Sequence, residues 1–187
     1  MTTLAALWLP VLLAAVFVFV VSSLVHMVLQ IHKGDYKKLP DEDAVRTAVR
    51  NSRTPPGQYL FPCAASMKDM GSPDMIEKFK QGPVGVMIVR PTGMPMLGKA
   101  LGQWFAFCIL VGVFSGYLTG LAAAPGADGM RVFRISATVA TLGYAFSSVS
   151  DSIWKGVSWG TTLRFVFDGV LYALVTGATF AWLWPAA

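Results

Sequence analysis

The sequence predicts an all-α membrane protein, with four transmembrane helices and a small cytoplasmic α/β insertion between helices 1 and 2. Three observations predict it. Met1 to Ile31 contains no Asp, Glu, Lys or Arg, Ala100 to Ala127 is equally bare, and eleven of the fifteen Lys and Arg fall between Lys33 and Lys99. Hydrophobic residues make up 55% and charged residues 13% of the 187, with a mean hydropathy of +0.57, which excludes an ordinary soluble domain.

Residues 1–31 form the first span, because a bilayer core about 30 Å thick needs roughly 20 apolar residues of helix. A cleavable signal peptide fits poorly: no basic stretch precedes the apolar run, which is about twice the usual length, and no small-x-small site follows it. Residues 32–99 form the insertion, and residues 100–187 carry the other three helices. The second span centres on Leu101 to Leu121 and ends at an Ala-Pro-Gly. The third, Ile135 to Ser150, holds six Ser and Thr and is expected to turn them toward protein. The fourth runs from Phe165 to Trp184, with Asp168 one turn inside its start and Pro185 ending it.

The punctuation of the insertion predicts α-β-α-β. Pro40 and the acids Asp41, Glu42 and Asp43 open a helix whose end carries Arg46 and Arg50, matching the helix dipole. Thr54-Pro55-Pro56-Gly57 breaks it, Tyr59 to Phe61 reads as a strand, Ser72-Pro73-Asp74 starts a second helix to Gln81, and Val84 to Val89 is a β-branched run.

Short loops rich in Lys and Arg stay in the cytoplasm, so the long basic connection is expected inside and both termini outside or periplasmic. The tryptophans agree, with Trp8, Trp182 and Trp184 at the outer interface and Trp104, Trp154 and Trp159 at the inner one.

Two stripes of small residues recur every fourth position: Gly112, Gly116 and Gly120 on the second span, and Gly169, Ala173, Gly177 and Ala181 on the fourth. Such faces let backbones approach closely, either within the bundle or against a helix of another subunit. Ser22, His26 and Gln30 form one polar line on the first helix. His26 could ligate a haem or metal, but a bis-His haem needs a second histidine on a facing helix and His32 follows in the same segment, so interhelical hydrogen bonding is the expected role. Asp151 with Lys155, and Arg164 with Asp168, are spaced to pair along a helix. Met67, Met70 and Met75 near Cys63 could suit Cu(I), but no Cys-x-x-Cys or Met repeat supports it, and Cys63 and Cys108 read as free thiols. Catalytic templates and nucleotide loops are absent, so neither a catalytic residue nor a cofactor is assigned, and the basic residues serve topology rather than nucleic acid.

The stretches His32-Lys33-Gly34-Asp35-Tyr36-Lys37-Lys38-Leu39-Pro40-Asp41-Glu42-Asp43-Ala44-Val45, Pro55-Pro56-Gly57-Gln58-Tyr59 and Phe167-Asp168-Gly169-Val170-Leu171-Tyr172 resemble those of a group of uncharacterised bacterial integral-membrane proteins. The resemblance implies a bacterial inner membrane and carries no activity. The expected role is a non-catalytic accessory or scaffold subunit, with lipid and partner subunits or further copies as its contacts. The alternative is a small transporter or ion-coupled protein using Asp168 and His26, and a second alternative is a membrane enzyme or Cu(I)-handling protein.

Overall fold

The computed structural model describes residues 1–187. A 3₁₀ turn, Leu4–Leu7, leads into α1 (Trp8–Ser23), which ends in a π-helical turn, Leu24–Leu29. There follow α2 (Glu42–Asn51), β1 (Gly57–Phe61), α3 (Met67–Met70), α4 (Pro73–Gln81) and β2 (Gly85–Val89). The chain then forms α5 (Leu97–Ala122), α6 (Gly129–Tyr144), α7 (Val149–Lys155) and α8 (Trp159–Trp182). Four helical stretches are long and apolar enough to cross a membrane: Leu4–Leu29, Leu97–Ala122, Gly129–Lys155 and Trp159–Trp182. The multi-pass architecture of the sequence reading therefore stands.

Two compact units emerge. The first comprises Met1–Asp35, Met96–Ile153 and Val157–Ala187, and the second Tyr36–Pro95 with Trp154–Gly156. In the first unit each long helix packs against its sequence neighbours, and α8 closes the ring on α1. Neighbours run antiparallel. Thr2 at the start of span 1 donates from its backbone N–H to Gly120 O and from its hydroxyl to Ala123 O, both 3.0 Å, at the far end of α5.

The small-residue stripes are consumed inside this ring. A Cβ built on Gly112 would stand 3.3 Å from Val11 O, and one on Gly116 3.1 Å from the Phe180 ring. Gly169 and Gly177 lie against α6 and the residue that follows it, close to Ala145 and Ala137, while Ala173 sits in the core beside Ala140 and Tyr144. Gly120 abuts Thr2 O, and Ala181 packs on the cluster of Leu7, Val11 and Phe180. Of the two uses open to these stripes, internal packing is the one observed.

Three expectations need correction. Span 4 begins at Trp159 rather than Phe165, because Ser158 caps it, its hydroxyl accepting from Thr161 N–H, so Thr161, Thr162 and Arg164 are helical. Asp168 therefore lies nine residues into α8, about 13 Å along its axis, rather than one turn. In α6 only part of the polar set faces protein: Ser136 is buried, but Thr138 is exposed and satisfies its hydroxyl on the Arg134 carbonyl, four residues back. Trp104, expected at the inner interface, turns its ring into the bundle. It is half-buried among Phe107, Tyr144 and Tyr172, and its indole N–H donates to Ser22 Oγ at 2.9 Å.

The second unit follows its sequence signals closely. Asp41 caps α2 by accepting from Ala44 N–H, Ser72 caps α4 with Pro73 in its first turn, and β1 pairs antiparallel with β2 in the register Gly57↔Val89 and Phe61↔Gly85. The one-turn α3, capped by Ser66, was not expected. Met75 is buried, whereas Cys63, Met67 and Met70 are exposed, so the shielded sulfur site that Cu(I) would need is not formed there.

Candidate functional site

The chain reverses after span 1. The π turn over Leu24–Leu29 holds one more residue per turn than an α-helix, and Gln30 stops it in the left-handed region, φ 50°. Gln30 thereby leaves the polar line expected with Ser22 and His26, and is exposed. Residues 31–36 form turns that carry His32 back over His26, their rings stacked with centroids 4.6 Å apart and planes 10° apart. The His32 ring also meets Phe165, tilted by 32° with centroids 4.6 Å apart.

This reversal assembles a chain of charged groups. His32 Nε2–H donates to Asp168 Oδ2 at 2.7 Å, and His32 Nδ1–H donates to Asp35 Oδ2 at 2.5 Å. Arg164 donates from Nε to Asp35 Oδ1 at 2.7 Å and also from its guanidinium Nη2, which lies near the Thr161 hydroxyl as well. Asp35 and Asp168 are each 2% exposed, and His32 13%. Ionised carboxylates only accept, so protons on both ring nitrogens of His32 satisfy both contacts and make it an imidazolium. Arg164, Asp35, His32 and Asp168 then sum to zero charge. That balance is what permits two buried carboxylates at the end of a bundle.

The pairing differs from the one expected. Arg164 takes Asp35, not Asp168, because the reversal delivers Asp35 to the guanidinium while His32 occupies the Asp168 carboxylate one turn deeper. Asp151 and Lys155 lie on α7. His26 stands at the edge, 44% exposed, with Nδ1 3.0 Å from Ser22 O and Nε2 3.9 Å from Asp168 Oδ2. Asp168 Oδ1 and the Tyr172 hydroxyl, four residues on, are buried without hydrogen bonds of ordinary geometry. Asp35 falls outside the apolar span and carries no expectation as a site residue, while the sequence argues against His32 as a second ligand because it follows His26 in the same segment. The density of His and Asp within four residues of a span end, in a chain with two histidines, was the available signal.

Burial pulls the His32 imidazole down, but its hydrogen bonds to Asp35 and Asp168 and their negative charge outweigh this and raise its pKa. Burial pushes the Asp35 carboxyl up, but hydrogen bonds from His32 and Arg164 and their positive charge outweigh this and lower it. The His32 contribution to stability is thus complete below the unfolded value of about 6.5 and is lost as pH rises through the raised one. The Asp35 contribution is complete above about 3.9 and is lost as pH falls through the lowered one. Chelator-treated protein in mild detergent should therefore melt highest at about pH 4 to 6.5. His32→Gln should remove the alkaline decline, and a wild-type melting profile no steeper than that of the variant would refute the assignment.

Comparison with protein-family models, curated proteins and solved structures finds no match. The site is therefore read from its own geometry.

Proposed function

We propose that this protein is a small ion-handling membrane protein whose bundle holds a cation at the His/Asp centre. One observation carries the reading: inside span 4 a carboxylate, 2% exposed, faces the Nε2 atoms of two imidazoles, one partly buried and one open at the edge. Ionisable groups within spans are costly and are retained mostly where ions or protons are handled. The half-exposed His26 provides a way in from the edge to the buried oxygen. The small-residue stripes, already filled by the bundle itself, lend no support to a lateral partner on those faces.

Reconstituted in liposomes, the wild-type protein should carry a cation flux that Asp168→Asn abolishes. The fold should survive that change, because the Asn amide can donate to a neutral His32 Nε2, leaving Arg164 and Asp35 to balance each other. Undiminished flux in a folded Asp168→Asn protein would sink the proposal. The basic connection favours placing the centre at the cytoplasmic side of a bacterial inner membrane with both termini periplasmic. Reporters after Ala187 and near Gly71 test this, and an active cytoplasmic reporter at Ala187 would reverse it.

An accessory subunit is the second reading. It is favoured by an apolar groove on α5 and α6 lined by Phe107, Leu110, Phe114, Leu118, Val139 and Leu142. Mass determination of the protein extracted in mild detergent separates the two: a stable heteromeric complex supports the accessory role, and a lone homo-oligomer with flux supports ion handling.

A further inference from the structure

The centre has a supporting shell of the kind that orients metal ligands. His26 Nδ1–H is committed to the Ser22 carbonyl at 3.0 Å, which leaves the lone pair on Nε2. His32 Nδ1–H is committed to Asp35, and Asp35 is fixed in turn by Arg164. A carboxylate or carbonyl on the far nitrogen is the usual second partner of a metal-bound histidine, since it sets the tautomer and raises ligand basicity. Both histidines here have one. Their Nε2 atoms and an Asp168 oxygen all lie within 4.8 Å of one another.

Distances agree with an ion held after a modest closure. Bonds of about 2.0–2.1 Å in a tetrahedral site separate ligand atoms by roughly 3.3 Å. The separations from Asp168 Oδ2 are 2.7 Å to His32 Nε2 and 3.9 Å to His26 Nε2, and they bracket that value. His26, 44% exposed, has room to turn out of its stack on His32, as it must for its Nε2 to aim at the ion. Asp168 Oδ1 is buried and lacks a hydrogen bond of ordinary geometry, although the Tyr172 hydroxyl on the next turn lies close to the carboxylate. We propose that His26, His32 and Asp168 bind one divalent first-row transition-metal cation of the Zn²⁺ and Fe²⁺ class, which deepens the ion-handling reading and rests on it. Two imidazoles and one carboxylate match those ions, whereas Mg²⁺ and Ca²⁺ prefer oxygen alone and Cu(I) prefers sulfur. Binding displaces the His32 Nε2 proton to solvent, and a fourth position remains for water.

The test uses tag-free, full-length protein in mild detergent, stripped with chelator and titrated with Co²⁺ as the optical probe. One Co²⁺ per chain should give a visible absorption band that Zn²⁺ displaces and millimolar Mg²⁺ does not. Asp168→Asn should abolish the band. His26→Gln should weaken binding at least about tenfold. Absence of the band in wild type, or binding indifferent to both substitutions, would overturn the proposal. Liposome flux without Co²⁺ binding would overturn the metal assignment alone, and loss of both would overturn the ion-handling reading as well.

Discussion

Gly169→Ala is expected to destabilise the bundle by about 2 kcal/mol or more, and Gly169→Leu to prevent assembly. A single methyl at this position would stand 2.5 Å from Ala145 Cα, 2.6 Å from Ala145 N and 2.7 Å from Tyr144 C. All three are backbone atoms, so no side chain can rotate away and α8 must move off the end of α6. Alanine would otherwise gain roughly 0.8–1 kcal/mol over glycine in a helix. The control is the same substitution at Gly102, on α5, where a Cβ would meet nothing within 4 Å. Gly102→Ala should be neutral or stabilising, and opposite signs at the two sites, read from unfolding in mild detergent, would show that the Gly169 stripe is spent on the bundle's own packing. Equal tolerance would remove that stripe from the fold.

Asp35→Ala is the second large effect. It removes the carboxylate shared by His32 and Arg164 and leaves two cations against the single charge of Asp168. Breaking a buried pair in this way costs about 3–5 kcal/mol. The lower end is expected here, because Arg164 is 37% exposed and can turn to water, whereas His32 at 13% must lose its proton or leave. The turn that carries it should then loosen. Faster tryptic cleavage after the exposed Lys33, alongside the lower melting temperature, would report that release; a variant as stable and as protected as wild type would refute the role of Asp35.

The architecture was legible because it follows from strong one-dimensional signals. Apolar runs mark the four spans, Ser72-Pro73 and Asp41 mark helix starts, and β-branched residues mark β2. Span boundaries were less legible: Thr161, Thr162 and Arg164 read as loop by polarity, yet Ser158 starts the helix before them. The site was half legible. Asp168, Arg164 and His26 stand out as charges or imidazole in or beside apolar helices, but their partners depend on the π turn and on the left-handed Gln30, which no periodicity announces. Pairing Arg164 with Asp168 was the natural reading of i,i+4 spacing. It failed because a residue 129 positions away in sequence competes for the guanidinium.

Everything proposed for the centre depends on His32 reaching Asp168 across the bundle. A double-mutant cycle tests that contact most directly, using His32→Gln, Asp168→Asn and both together, with unfolding free energies measured on the metal-free protein. A charge-assisted hydrogen bond at 2.7 Å between largely buried groups should give a coupling of about 1 kcal/mol or more. Additive costs, within about 0.5 kcal/mol, would contradict the contact and with it the whole centre.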